Sequence, residues 1–244
     1  MEHRLGLAVG ALLTASLFAC GDDATTTLVT TTTRAATTTT VAPTTTLAPT
    51  FYSADAVAYF EEVAFGQEFG GDAPEIRKWT HDVRMVVHGD PSDEDLVTLY
   101  DVIADLNTMI GTIVIDIVAS DGNFDIHFAP ESEFAAIEPN YVPVNMGFFW
   151  VWWDGGGNIT DARVLISTSG LTQPERNHLI REEVTQSLGL MRDSIRFEDS
   201  IFYQGWTETQ EYSEFDELLI EMLYLPEIEP QMTAAEARAV IPGG

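Results

Sequence analysis

Glu182, Glu183 and Gln186 stand close together in a stretch, REEVTQSLGLMRD, whose side chains could grip a cation or move a proton. Residues four apart on a helix lie one above the other, so Glu182 and Gln186 address the same ligand. Glu183 beside them has the chemistry of a general base. Asp193 adds an oxygen donor, and with Glu182 and Glu183 it makes a set suited to a hard divalent cation such as calcium. His178, four before Glu182, could extend the stripe, but its place near a helix start makes a surface histidine the expectation. The competing reading is a hydrogen-bonded polar cluster that pins a turn at Gly189, with Arg181 or Arg192 neutralising the carboxylates. The residue types favour the second reading. Gln186 is a weak neutral ligand, and Arg192 is permanently charged and cannot ligate.

A helix must carry these groups. Thr172 with Glu175 three residues on forms a capping box, and Pro174 sits where its missing N–H costs nothing. Ile180, Val184 and Leu188 recur four apart as a core-facing stripe, and Gly189 can adopt positive φ beyond the last turn. Two adjacent carboxylates and an amide on such a largely buried helix are more than packing requires.

The surrounding pattern predicts an α+β domain. Ser53 to Phe65 has helical spacing, and Trp79 to His88 alternates as a strand with Val83, Met85 and Val87 on one face. Ser92 and Asp95 cap a long helix carrying Leu96, Leu99, Ile103, Leu106 and Ile110. Thr112 to Ala119 is a β-branched run, expected as a buried strand, and Phe124 to Phe128 alternates as another. Glu131 to Ile137 suggests a helical turn. Met146 to Trp153, MGFFWVWW, is expected to be a core strand that turns at Gly155–Gly157 and returns over Ala162 to Ser167. A last helix is expected from Ser213 to Leu223, stopped by Pro226. His81, His88 and His127 fall on separate predicted strands with no ligand spacing along the chain.

Eleven Lys and Arg against 39 Asp and Glu give a formal charge of −28, a field that repels nucleic acid and excludes a polynucleotide partner. Hydrophobic content of 45% is ordinary for a globular core. Arg4 precedes an apolar run from Leu5 to Ala19, too short to span a bilayer and suited to a signal peptide over residues 1–19. Leu17-Phe18-Ala19-Cys20 resembles a bacterial lipobox, which implies cleavage before Cys20 and acylation of its thiol. Residues 20–50, rich in threonine, cannot bury enough surface to offset ordering entropy and read as a tether. The globular domain is then 51–244, outside the cytoplasmic membrane of a bacterium and held to it by lipid.

The helix stretch resembles the metzincin zinc peptidases, whose H-E-x-x-H-x-x-G-x-x-H motif holds the metal with three histidines and uses the glutamate as general base. On that pattern Glu182 and Gln186 occupy the two helix histidine positions and Glu183 the general base. Gly189 falls on the turn glycine and Arg192 on the third histidine. Ser200-Ile201-Phe202-Tyr203 resembles the Met-turn, with Phe202 in place of the methionine, and Ser213 to Tyr224 resembles the final helix of matrix-metalloprotease-like domains. A nearer likeness is to a bacterial family of predicted lipoproteins, domain of unknown function 2927, with an E-E-x-x-Q-x-L-G-L-x-x-D core, then S-x-F, and an R-x-W near the domain start. The matching residues are Glu182, Glu183, Gln186, Leu188, Gly189, Leu190 and Asp193, then Ser200 and Phe202, with Arg77-Lys78-Trp79 upstream.

These resemblances imply a zincin-like single domain: a mixed twisted sheet, a long helix in the N-terminal half and a central helix of the active-site type. With every histidine position substituted, the expected role is binding or structural, without cofactor. Glu182, Gln186, Gly189, Arg192, Asp193, Ser200 and Phe202 would form a cleft for a protein or peptide ligand. The alternative is a hydrolase in which Glu183 is the base and Glu182, with Gln186 or Asp193, holds a divalent cation.

Overall fold

Alternation along the strands divides the molecule into a filled side and a half-open side. The computed structural model describes residues 51–66 and 74–244, and the expected signal peptide, Cys20 and threonine tract lie outside them. On β1 (Val83–Gly89), Val83, Met85 and Val87 join the main core while Arg84, Val86 and His88 point away from it. β3 (Phe124–Ala129) repeats the pattern, with Phe124, Ile126 and Phe128 in that core and Asp125 and His127 opposite. β2 (Ile115–Ile117), β4 (Gly147–Trp153) and β5 (Ile159–Ser167) complete one mixed five-stranded sheet in the order β2-β1-β3-β5-β4. All neighbours are parallel except β4 and β5. That pair is joined by a tight turn in which Asp154 Oδ1 accepts from the amides of Gly156 and Asn158.

Helices cover the filled side. α2 (Asp93–Met109) and α4 (Gln173–Gln186) pack on the sheet, α5 (Glu214–Leu223) packs on α2 and α1 (Ala54–Ala64) on α5, and together they bury Phe60, Leu99, Leu106, Ile180, Val184, Leu219 and Met222 in the main core. Each of these helices starts at a serine or threonine whose side chain accepts from a backbone amide in the first turn. On the far side, a single 3₁₀ turn and α3 (Phe134–Ile137) cover only part of the sheet, through Phe134, Tyr141, Phe148 and Leu165. No described helix is long and apolar enough to cross a membrane.

Three expectations shift. The run Thr112 to Ala119 yields only Ile115–Ile117, at a sheet edge with Val114 and Asp116 exposed, because it pairs with β1 alone. MGFFWVWW does form a strand, but at the opposite edge, and Trp152 and Trp153 end up largely on the surface. The helix expected to end at Leu223 does so, but it is not the last. α6 (Ala234–Val240) follows, opened by a further capping box of Thr233 and Glu236.

Candidate functional site

α4 is polar in sequence yet buried from His178 through Gln186, so its side chains must be satisfied by neighbours. At its start, Arg176 and Gln173 both reach Asp95 on α2, at 3.2 and 2.8 Å. Arg181 donates to Asp105 Oδ2 at 2.8 Å, and its guanidinium lies over the Tyr212 ring. At its end, orphan carbonyls find partners: Trp79 Nε1 donates to Ser187 O at 3.1 Å and Tyr224 OH to Leu188 O at 3.0 Å. Gly189 has φ +123°, and a Cβ there would lie 2.1 Å from the carbonyl oxygen of Arg77. The Arg77-Lys78-Trp79 segment is thus a clamp on the helix exit. Burial lowers the buried Lys78 amine to about 8, and the amine donates to the carbonyls of Leu223 and Ile228.

Past this clamp the polar face is an interlocked cluster. His178 Nδ1 lies 2.7 Å from the Thr209 carbonyl, which can only accept, so that nitrogen carries a proton. Its Nε2 faces Glu182 Oε2 at 3.2 Å, an arrangement that favours the imidazolium. Burial alone would lower the imidazole, but the Glu182 hydrogen bond and charge overcome it and hold His178 above the usual value. Gln186 Nε2 donates to Asp193 Oδ1 at 2.6 Å. Burial, and then the charge of Glu182, push Asp193 up to about 7 against that hydrogen bond. Glu183 lies against the start of β4, where a Cβ on Gly147 would come within 2.4 Å of Glu183 Oε1. Only glycine lets the edge strand approach so closely.

These groups line a cleft of about 240 Å³ between α4, the approach to β4 and the segment Tyr203–Thr207. Two large apolar side chains among its lining are exposed, Val144 at 87% and Trp206 at 65%, beside the exposed amide of Gln204. Val144 also sits at φ 73°, a strained conformation for a β-branched residue.

Of the residues singled out in the sequence, Glu182, Glu183, Gln186 and Asp193 line the cleft together. Gly189, Arg192, Ser200 and Phe202 are not among its lining residues. Gly189 is turned against the Arg77 backbone, and Arg192 is exposed with its stem over Gly66. Ser200 is buried, donating to Asp216 and sharing a 2.7 Å hydrogen bond with Tyr59 OH. Asp216 also accepts from the amides of Ile201 and Ser213, which latches the turn to the start of α5, and its burial raises its carboxyl above the ordinary range. Phe202 is wholly within the core.

Other expectations need correcting. His178 is not a surface residue; it is buried, and it rather than Arg181 or Arg192 is the cationic partner of Glu182. Its spacing was visible in the chain, but the loop that closes over it was not. Gly147, Val144 and Trp206 carried no sequence signal for this cleft, since they reach it from separate segments. His88 and His127 are not scattered either: they are directly paired across β1 and β3, with rings stacked 4.4 Å apart.

A family model described as "Protein of unknown function (DUF2927)" matches residues 53–243. No curated protein matches the chain.

Proposed function

We propose that this chain, which belongs to the family Protein of unknown function (DUF2927), is a lipid-anchored extracytoplasmic protein that binds a peptide segment on a metallopeptidase-like framework and does not cleave it. The sheet order, with one antiparallel edge strand beside a buried central helix, supports the metzincin-like reading of the scaffold. So does the turn at Ser200 latched to α5. The anchor rests on Cys20 and the apolar run before it.

One observation carries the binding role. Glu182 and Gln186, which the metzincin likeness would put at ligand positions, are held by neighbours instead, Glu182 by His178 and Gln186 by Asp193, in a cleft that also exposes Val144 and Trp206. A cation would have to displace that ion pair and that hydrogen bond, whereas an apolar side chain seated against Val144 and Trp206 would leave both in place. Among the described residues, β4 pairs on one side only, so an extended peptide can add to its outer edge and present alternate side chains to the cleft. The purified full-length chain, incubated with a random peptide mixture, should retain a subset of intact peptides. Glu183→Gln should retain the same subset, and Gly147→Ala should lose it. Failure to retain any peptide overturns this reading.

A second reading, a hydrolase with Glu183 as general base, draws on two features. His178 and Glu182 converge on the cleft, and Asp193 is poised near neutrality. It predicts shortened peptides that vanish in Glu183→Gln, and stoichiometric zinc, iron or manganese lost in Glu182→Ala.

A further inference from the structure

The half-open face of the sheet holds a second cluster, far from α4 in sequence and built across strands. His88 and His127 are register partners on parallel β1 and β3, and Asp125 precedes His127 by one alternation, so all three side chains leave the same face. The imidazoles stack at 4.4 Å with an interplanar angle of 13°. His88 Nε2 lies 2.7 Å from Asp125 Oδ1. One ligand atom from each of the three falls within 4.8 Å of the others. Around a zinc ion with bonds of about 2.1 Å, tetrahedral ligand atoms stand about 3.4 Å apart, so the trio closes on an ion by side-chain rotation without moving the strands.

From this geometry we infer that His88, Asp125 and His127 form a binding site for a late first-row divalent transition ion of the zinc class, with a remaining position for water. The donor set selects that class. Two imidazoles with one carboxylate suit zinc, nickel or copper(II), whereas calcium and magnesium want an all-oxygen shell. The ion takes the place of the proton between His88 Nε2 and Asp125 Oδ1, and the neutral ring that ligates through Nε2 carries its proton on Nδ1. Access is open: the His88 and Asp125 side chains are 39% and 41% exposed, and Asp125 also lines a groove of about 370 Å³ with Trp152 and Arg163. Arg163, the nearby cation, is committed to Glu138 at 2.9 Å, which limits its opposition to a bound cation.

The test uses the purified full-length chain, stripped of metal and titrated with Zn²⁺ by calorimetry and with Co²⁺ by visible absorption. The expected result is one ion per chain, with the intense visible bands of low-coordinate cobalt. His88→Phe and His127→Phe should each weaken binding at least 100-fold, and Asp125→Asn about 10-fold or more, with unchanged circular dichroism. Glu182→Ala should leave the ion bound, which separates this site from a metal in the α4 cleft. Should a histidine variant misfold, the wild-type chain still decides: Co²⁺ must shift the imidazole resonances of His88 and His127 and spare those of His81 and His178. No saturable binding, or shifts at His178 alone, overturns the proposal.

Discussion

In the α4 cleft, His178 meets Glu182 one helical turn away, and both are enclosed by neighbouring segments. On the outer face of the sheet, His88 meets Asp125 across a strand boundary, and both remain substantially open to water. The pairs use the same two functional groups, a carboxylate and an imidazole, in different surroundings. His178 is held above its usual pKa because a carboxylate contacts it inside a buried pocket. His127, behind the outer pair, is held below because burial and a second imidazole both oppose its proton. A histidine's protonation follows from burial weighed against what folding sets beside it: burial leads at His127, and the Glu182 carboxylate overcomes it at His178.

The largest effect that could break the comparison is at the helix exit. Gly189→Ala places a Cβ on the Arg77 carbonyl at a positive φ, and should cost about 3–5 kcal/mol in urea unfolding. A loss below about 1 kcal/mol would mean that the clamp does not hold α4. Next, His178→Phe strands the Glu182 carboxylate in a buried site and should cost about 3 kcal/mol, whereas His127→Phe on the half-open face should stay within about 1 kcal/mol. Equal losses would dissolve the distinction between the two clusters.

The smallest effect, and the sharpest, is the pH dependence of stability. Asp193 titrates at about 7 when folded, above an unfolded carboxylate, so its contribution is complete below about 4 and lost as pH rises to about 7. Asp193→Asn should flatten that decline by of order 2 kcal/mol. His127 titrates at about 4 when folded, below an unfolded imidazole near 6.5, so its contribution runs the other way. It is lost as pH falls from about 6.5 to about 4, with Asp125, His88 and Arg163 the charged or titratable groups acting on it. His127→Phe should flatten that acid limb by of order 1–2 kcal/mol. Denaturant midpoints measured from pH 4 to 8 check both slopes, and slopes of the same sign would contradict the assigned environments.

Much of this was legible in the chain because it is local. Capping boxes at Ser92 and Thr172 are four-residue patterns, and the stripe of Ile180, Val184 and Leu188 repeats every helical turn. Both follow from backbone geometry alone. The grouping of Glu182, Glu183 and Gln186 was legible for the same reason, and positive φ at Gly189 could be expected from its place after the helix. Thr233-Ala-Ala-Glu236 carried the same signal for α6, which the stop at Pro226 obscured.

Partnership across the chain was not legible. No spacing rule sets His88 opposite His127, because strand register is decided by which residues the whole sheet must bury. Nor could local pattern show that Thr209 and Asp193 close on the α4 face, that Arg181 turns to Asp105, or that Gly147 lies on Glu183. The sequence by itself determined which side chains share a helix face, since that is fixed by 3.6 residues per turn. Only the tertiary structure decided which of them are charged, paired or open to a ligand, since desolvation and proximity exist only once distant segments have met.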